Sequence, residues 1–82
     1  MSAQTELLQN SINEFNAMIE SAGLNYFIAV LQLENKIKLV LGSKMQLYYG
    51  VYQCELFSGS IEKCLVVMKA IKLVIASEIG IY

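Results

Sequence analysis

Apolar residues recur at helical spacing through the first quarter of the chain. Steps of three and four residues place the following side chains on one side of a helix: Leu8, Ile12, Phe15, Ile19 and Ala22. Polar residues, among them Asn16, take the opposite side. Ser2 suits the N-cap, and Gly23 suits the left-handed position that follows a last turn. The pattern predicts a helix over about residues 3–22.

The period of the pattern changes after this helix. Residues 25–33 are rich in β-branched and aromatic side chains, and the polar residues 34–36 follow as a turn. Apolar and polar positions then alternate as far as Leu41. We therefore expect two strands, at about 25–33 and 37–41, joined as a hairpin.

Residues 45–56 carry signals for both a helix and a strand. Ser43 and Gln46 have the spacing of a helix capping box. The tyrosine-rich run that follows favours a strand by propensity, with Gly50 as a candidate bulge. The distribution of apolar residues over the two faces of a sheet decides between these interpretations.

A meander with two three-residue turns separates apolar from polar positions. One face is apolar apart from a tyrosine hydroxyl and is predicted to be buried: Phe27, Ala29, Leu31, Leu33, Ile37, Leu39, Leu41, Met45, Leu47, Tyr49 and Val51. The other is predicted to face outward: Tyr26, Ile28, Val30, Gln32, Lys38, Val40, Gln46, Tyr48, Gly50 and Tyr52. A half-buried antiparallel sheet needs such segregation. We therefore expect a third strand at about 45–56.

A second helical stripe follows Ser60, which suits an N-cap. Its members again recur at steps of three and four: Ile61, Cys64, Met68, Ile71 and Ile75, flanked by Val67 and Val74. Apolar residues also occur on the opposite side: Leu65, Val66 and Leu73. A helix that is apolar beyond one face is usually buried on two sides. We predict a helix over about residues 60–78, with a strand over 64–68 as the alternative.

These elements predict an α+β fold in two layers, α-β-β-β-α, with two helices on one face of a three-stranded antiparallel meander. Eighty-two residues make one small domain, 56% hydrophobic and only 16% charged. This is more apolar surface than a monomer of this size can bury, so we expect self-association or a protein partner. The longest uncharged run, Ser21 to Leu33, is too short to span a membrane. With no signal peptide in the sequence, we expect a cytoplasmic protein.

The composition disfavours most catalytic chemistry. The chain contains no His, Asp, Arg, Pro or Trp, and its glycines form no phosphate-binding motif. Cys54 and Cys64 are ten residues apart with no second pair, so zinc spacing is absent and both thiols are expected reduced and buried. Ser60 and Lys63 match a serine–lysine spacing, but Ser60 is better explained as a helix cap. We expect no enzyme, no cofactor and no metal.

Nucleic-acid binding is the alternative function. The order of one helix, three strands and one helix is similar to that of double-stranded RNA-binding domains. Here, however, the last helix begins Ser60-Ile-Glu-Lys63 instead of with a lysine cluster, and the net charge is -1. A basic and aromatic patch can still form on the outer sheet face: Lys36, Lys38, Tyr48 and Tyr52. We rank this function second and expect no membrane partner.

The leading hypothesis is a non-enzymatic protein-interaction module, a homodimer that inhibits or regulates another protein. A tyrosine-rich, charge-poor surface has interface composition. The candidate interface comprises nine residues: Tyr26, Ile28, Val30, Lys38, Val40, Tyr48, Tyr52, Leu65 and Leu73. Lysine as the sole basic residue fits an AT-rich genome, which points to a virus or mobile element and to an anti-defence role.

Overall fold

Helices and an antiparallel sheet make up residues 3–78, the part of the chain that the computed structural model describes. The predicted N-cap residue Ser2 lies outside this part. The elements follow the order α1 (Ala3–Ser21), β1 (Phe27–Gln32), β2 (Ile37–Gly42), α2 (Lys44–Tyr48), β3 (Cys54–Gly59) and α3 (Ile61–Glu78). The fold is therefore α+β, as predicted, with a short helix inserted between the second and third strands.

Most of the core lies between the two long helices and one face of the sheet. α1 packs against α3 and β1, and α3 also packs against β3 and β2. The stripe predicted on α1 is buried apart from its last member, Ala22. Gly23 has a φ of +76°, the left-handed conformation predicted for it. The core cluster comprises Leu8, Ile12, Phe15, Ile19, Phe27, Ile28, Ile37, Leu39, Cys64 and Met68.

The predicted face of β1 is wrong, whereas that of β2 is right. Gln32 pairs with Ile37 across a four-residue loop, which the Leu33 N–H closes by donating to the Lys36 carbonyl at 2.9 Å. Our prediction assumed a three-residue turn, and a one-residue shift of register moves every side chain to the opposite face. Ile28 and Val30 therefore share the core side with Leu39. The outward side carries Phe27, Ala29 and Leu31, all of which were predicted to be buried. Of these, Phe27 is buried and belongs to the core cluster, whereas Leu31 is exposed.

The prediction of one continuous strand over 45–56 is also wrong. The Ser43 Oγ accepts a hydrogen bond from the Gln46 N–H at 3.1 Å, and Gln46 Oε1 accepts one from the Ser43 N–H at 2.8 Å. This capping box, the alternative that the sequence left open, starts α2. Gly50 ends the turn with a φ of +77° and is not a bulge. The bulge lies where β3 crosses from Leu39 to Val40 of β2.

Asn16 closes the outer edge of β1. Its Nδ2 donates to the Ile28 carbonyl at 3.0 Å, and its Oδ1 accepts from the Ile28 N–H at 2.9 Å. The side-chain amide thus makes the two hydrogen bonds that a neighbouring strand would otherwise make.

Candidate interaction surfaces

The nine residues predicted as one interface lie in different environments. Ile28 is in the core, and Val40 is buried on the outward side of the sheet. Three others are half-buried against the core: Tyr26, Val30 and Leu65. The four that remain accessible lie on separate elements: Lys38 on β2, Tyr48 on α2, Tyr52 in the loop before β3, and Leu73 on α3. Ile28 and Val40 are therefore not accessible to a partner in the folded chain.

Exposed apolar side chains are concentrated at two places instead. The first is the aromatic segment, residues 45–52, whose exposed large side chains are Met45, Tyr48, Tyr49, Val51 and Tyr52. Tyr48 is 82% exposed and Tyr49 71% exposed. Their rings meet edge to face, with centroids 5.1 Å apart and planes at 88°. Two large aromatic side chains thus stand together in solvent.

The support of the aromatic segment is local. The capping box fixes the start of α2, and Leu47 packs partly against the core cluster. The segment also packs closely against Gly42 at the end of β2. A Cβ atom at this position would be 3.2 Å from Gln46 Oε1 and 3.3 Å from Leu47 Cδ2, so there is little room for a side chain. A shallow groove of about 450 Å³ beside α2 is lined by Asn25, Lys44, Met45, Tyr48 and Tyr49.

An ion pair lies next to the aromatic segment. Lys38 Nζ is 3.2 Å from Glu55 Oε1 across β2 and β3. The hydrogen bond to Glu55, together with the nearby Tyr52 hydroxyl, raises the pKa of Lys38 above its ordinary value. The lysine therefore stays charged, but its charge is balanced by Glu55. Of the predicted basic and aromatic patch, the structure brings Lys38 and Tyr52 together.

The second concentration is the outer stripe of α3, which comprises Val66, Ala70, Leu73 and Val74. Val66 is 68% exposed and Leu73 50% exposed, whereas Cys64 and Met68 on the inner side are fully buried. The apolar character of both sides of this helix was predicted, but Val74 was predicted to flank the inner stripe and instead lies on the exposed side. Glu62 and Lys69 flank the outer stripe and form no ion pair within residues 3–78.

The groups with catalytic potential have structural roles or stand alone. The Ser60 Oγ accepts a hydrogen bond from the Lys63 N–H at 3.3 Å, as its predicted role as helix cap requires. Both cysteines are free, but Cys54 is exposed, contrary to prediction. Burial raises the pKa of the Cys64 thiol. In the described part of the chain, no three Cys or Glu side chains gather as a metal site, and no helix is long and apolar enough to cross a membrane.

In comparisons with known proteins, the chain matches no protein family, no curated protein and no solved structure at a significant level.

Sequence reasoning missed part of the aromatic segment because it assigned a strand there. Met45, Tyr49 and Val51 were predicted to be buried, yet all three are exposed. The signal that identifies them is the capping box at Ser43 and Gln46, which starts a helix. In a helical turn the side chains do not alternate between two faces as they do in a strand. Local hydrogen bonding outweighed β propensity at this position.

Proposed function

We propose that this protein is a non-enzymatic interaction module that inhibits or regulates another protein, to which it binds through the aromatic segment. The observation that carries the proposal is the exposure of Tyr48 and Tyr49 side by side. Tyrosine is over-represented among residues that contribute most to protein binding, because its ring buries a large area at low conformational cost. We place the module in the cytoplasm.

A protein surface suits this site better than a small molecule or a nucleic acid. The groove beside Tyr48 and Tyr49 is shallow, whereas small ligands are usually enclosed in deep clefts. Phosphate binding needs uncompensated positive charge, but Glu55 balances Lys38 and the whole chain carries a net charge of -1. Nucleic-acid binding remains the second candidate, on the contact of Lys38 with Tyr52.

Composition supports a more specific role. Lysine is the sole basic residue type, and Ile, Asn, Lys and Tyr are abundant, as in proteins from AT-rich genomes. Small proteins without catalytic groups from such genomes often belong to viruses or mobile elements. We therefore propose a regulator of this origin, with an anti-defence role as its most specific form.

Site-specific photocrosslinking tests the proposal. A photoreactive phenylalanine analogue replaces Tyr48 in one variant and Leu7 in another, because Leu7 is an exposed apolar residue on α1, remote in sequence from the segment. We expect the variant at position 48 to form a covalent adduct with one cellular protein, and the variant at position 7 to form none. Tyr49→Ala, introduced into the position-48 variant, should reduce the yield of that adduct.

Three results would contradict the proposal. They are equal adduct yields from the two positions, adducts with nucleic acid that nuclease removes, and an adduct yield that is insensitive to Tyr49→Ala. The second result would favour the nucleic-acid function instead, and retention on heparin that falls steeply with salt would support it.

A further inference from the structure

We infer that two copies of this chain pair through the outer stripe of α3, with the helices antiparallel and a twofold axis close to Val66. The inference is independent of partner binding, because it concerns α3 and not the aromatic segment. It assigns an occupant to an apolar helix face that the fold leaves uncovered.

The outer stripe is built like one side of a helix pair. Val66, Ala70 and Leu73 follow one another at steps of four and three residues, the spacing at which side chains interlock between two helices. All three are exposed, directly opposite the buried Cys64 and Met68. The small Ala70 side chain allows the two helix backbones to approach closely.

The charged residues beside the stripe favour a second copy of this chain as the partner. Glu62 and Lys69 lie on the same flank because seven residues make almost two complete turns, and they are about 10.5 Å apart along the axis. This separation is too large for them to pair within one helix. In an antiparallel pair centred near Val66, Glu62 of each copy meets Lys69 of the other, which gives two equivalent ion pairs. A parallel pair in register would place Glu62 beside Glu62.

The same twofold axis provides a place for Leu73 and Val74. The residues opposite them, seven or eight positions before Val66, are Gly59 and Ser58 at the end of β3. A groove of about 430 Å³ lies beside this end of β3, along the first two turns of α3, and is lined by Phe57, Glu62, Lys63, Val66 and Val67. Each copy thus offers a groove at one end of its stripe and two aliphatic side chains at the other. The charges of this surface are self-complementary, as a twofold interface requires.

Charge reversal tests the pairing. Light scattering coupled to size exclusion should give twice 9.2 kDa for the unaltered chain at high micromolar concentration. Glu62→Lys and Lys69→Glu should each raise the dimer dissociation constant about tenfold or more, because each replaces two attractions by two repulsions. An equimolar mixture of the two variants should recover the dimer, since all charges in the mixed pair are opposite. Glu20→Lys and Lys44→Glu are controls with the same charge changes on exposed residues elsewhere.

A cysteine crosslink tests the position of the axis. In a Cys54→Ser background, Val66→Cys should form an intermolecular disulfide under mild oxidation, because residue 66 faces its own copy. Val51→Cys, at an exposed position in the loop after α2, is the control and should form far less. A chain that remains monomeric at high micromolar concentration would overturn the inference. The inference would also be overturned if neither charge reversal changed the dissociation constant of the dimer, or if the mixture of the two variants did not form a dimer. Equal disulfide yields at positions 51 and 66 would overturn it as well.

Discussion

The two exposed apolar surfaces of this protein differ in how the rest of the chain supports them. The outer stripe belongs to α3, an 18-residue helix whose inner side is anchored in the core by Cys64 and Met68. The aromatic segment is built around α2, a five-residue helix without a fully buried side chain. One surface is as rigid as the core beneath it, whereas the other depends on a capping box and on the packing of Leu47.

This difference is consistent with the two separate roles that we propose for these surfaces. A rigid helix face presents a fixed pattern of shape and charge, which is what pairing with an identical copy requires. A short, locally supported segment can adapt its tyrosines to a different protein, because opening it costs less than unfolding the domain. We therefore expect the two surfaces to differ in local stability.

Thiol labelling should show the largest effect. In native protein, Cys54 should react with a thiol reagent about a thousandfold faster than Cys64 or more, because Cys64 becomes accessible only when the core opens. The raised pKa of Cys64 lowers its thiolate fraction further. Cys54→Ser and Cys64→Ser variants separate the two rates. Comparable rates in the native state would show that α3 is not anchored as described.

Truncation of the inner side of α3 should cost the most stability. Met68→Ala removes a fully buried side chain and should lower the free energy of unfolding by about 2–5 kcal/mol. Val66→Ala, on the same helix but facing outward, should change it by about 0.5 kcal/mol or less. Urea denaturation at a concentration at which the chain is monomeric measures both. Equal costs would mean that the inner and outer sides of α3 are not distinct.

Loss of a helix cap should have a moderate and local effect. Ser43→Ala removes the capping box and should cost about 1 kcal/mol. Hydrogen exchange should accelerate across residues 44–53 and remain unchanged in α3. Ser60→Ala, which removes the cap of α3, is the matched control and should affect the first turn of that helix instead. Slow hydrogen exchange throughout α2 in the Ser43→Ala variant would contradict the claim that the capping box stabilises this helix.

The smallest effect on stability is expected at the tyrosines. Tyr48→Ala should change the free energy of unfolding by about 0.5 kcal/mol or less, because its side chain stands in solvent. Leu47→Ala, its half-buried neighbour in the same helix, should cost more. Thermal unfolding followed by circular dichroism checks both variants. A larger loss for Tyr48→Ala would show that its ring packs against the folded chain.

The long helices were predictable because periodicity extends over many residues, and every inner residue from Leu8 to Ile19 agrees with it. The buried face of β1 was not predictable, because apolar residues occupy both faces of this strand and either register therefore buries apolar side chains. The additional residue in the loop and the hydrogen bonds of Asn16 to Ile28 select one of the two. Neither is visible in a hydrophobic pattern.

The candidate surfaces show the same limit. Val66 and Leu73 stood out in the sequence because an apolar residue on the outer side of a helix breaks its period. The aromatic segment was hidden, since Tyr48 and Tyr49 favour strands by propensity and a single capping box reverses that preference locally. Long-range periodic features were therefore recovered, and features decided by a few hydrogen bonds were not.

The separation of the two surfaces is tested most directly by sedimentation velocity on two variants compared side by side. Leu73→Glu places a charge in the outer stripe, and a Tyr48→Ala, Tyr49→Ala double variant removes the exposed rings of the aromatic segment. We predict that the first variant sediments as a monomer and the second as a dimer like the unaltered chain. A monomeric tyrosine variant together with a dimeric Leu73→Glu variant would contradict the account, because self-association would then use the aromatic segment.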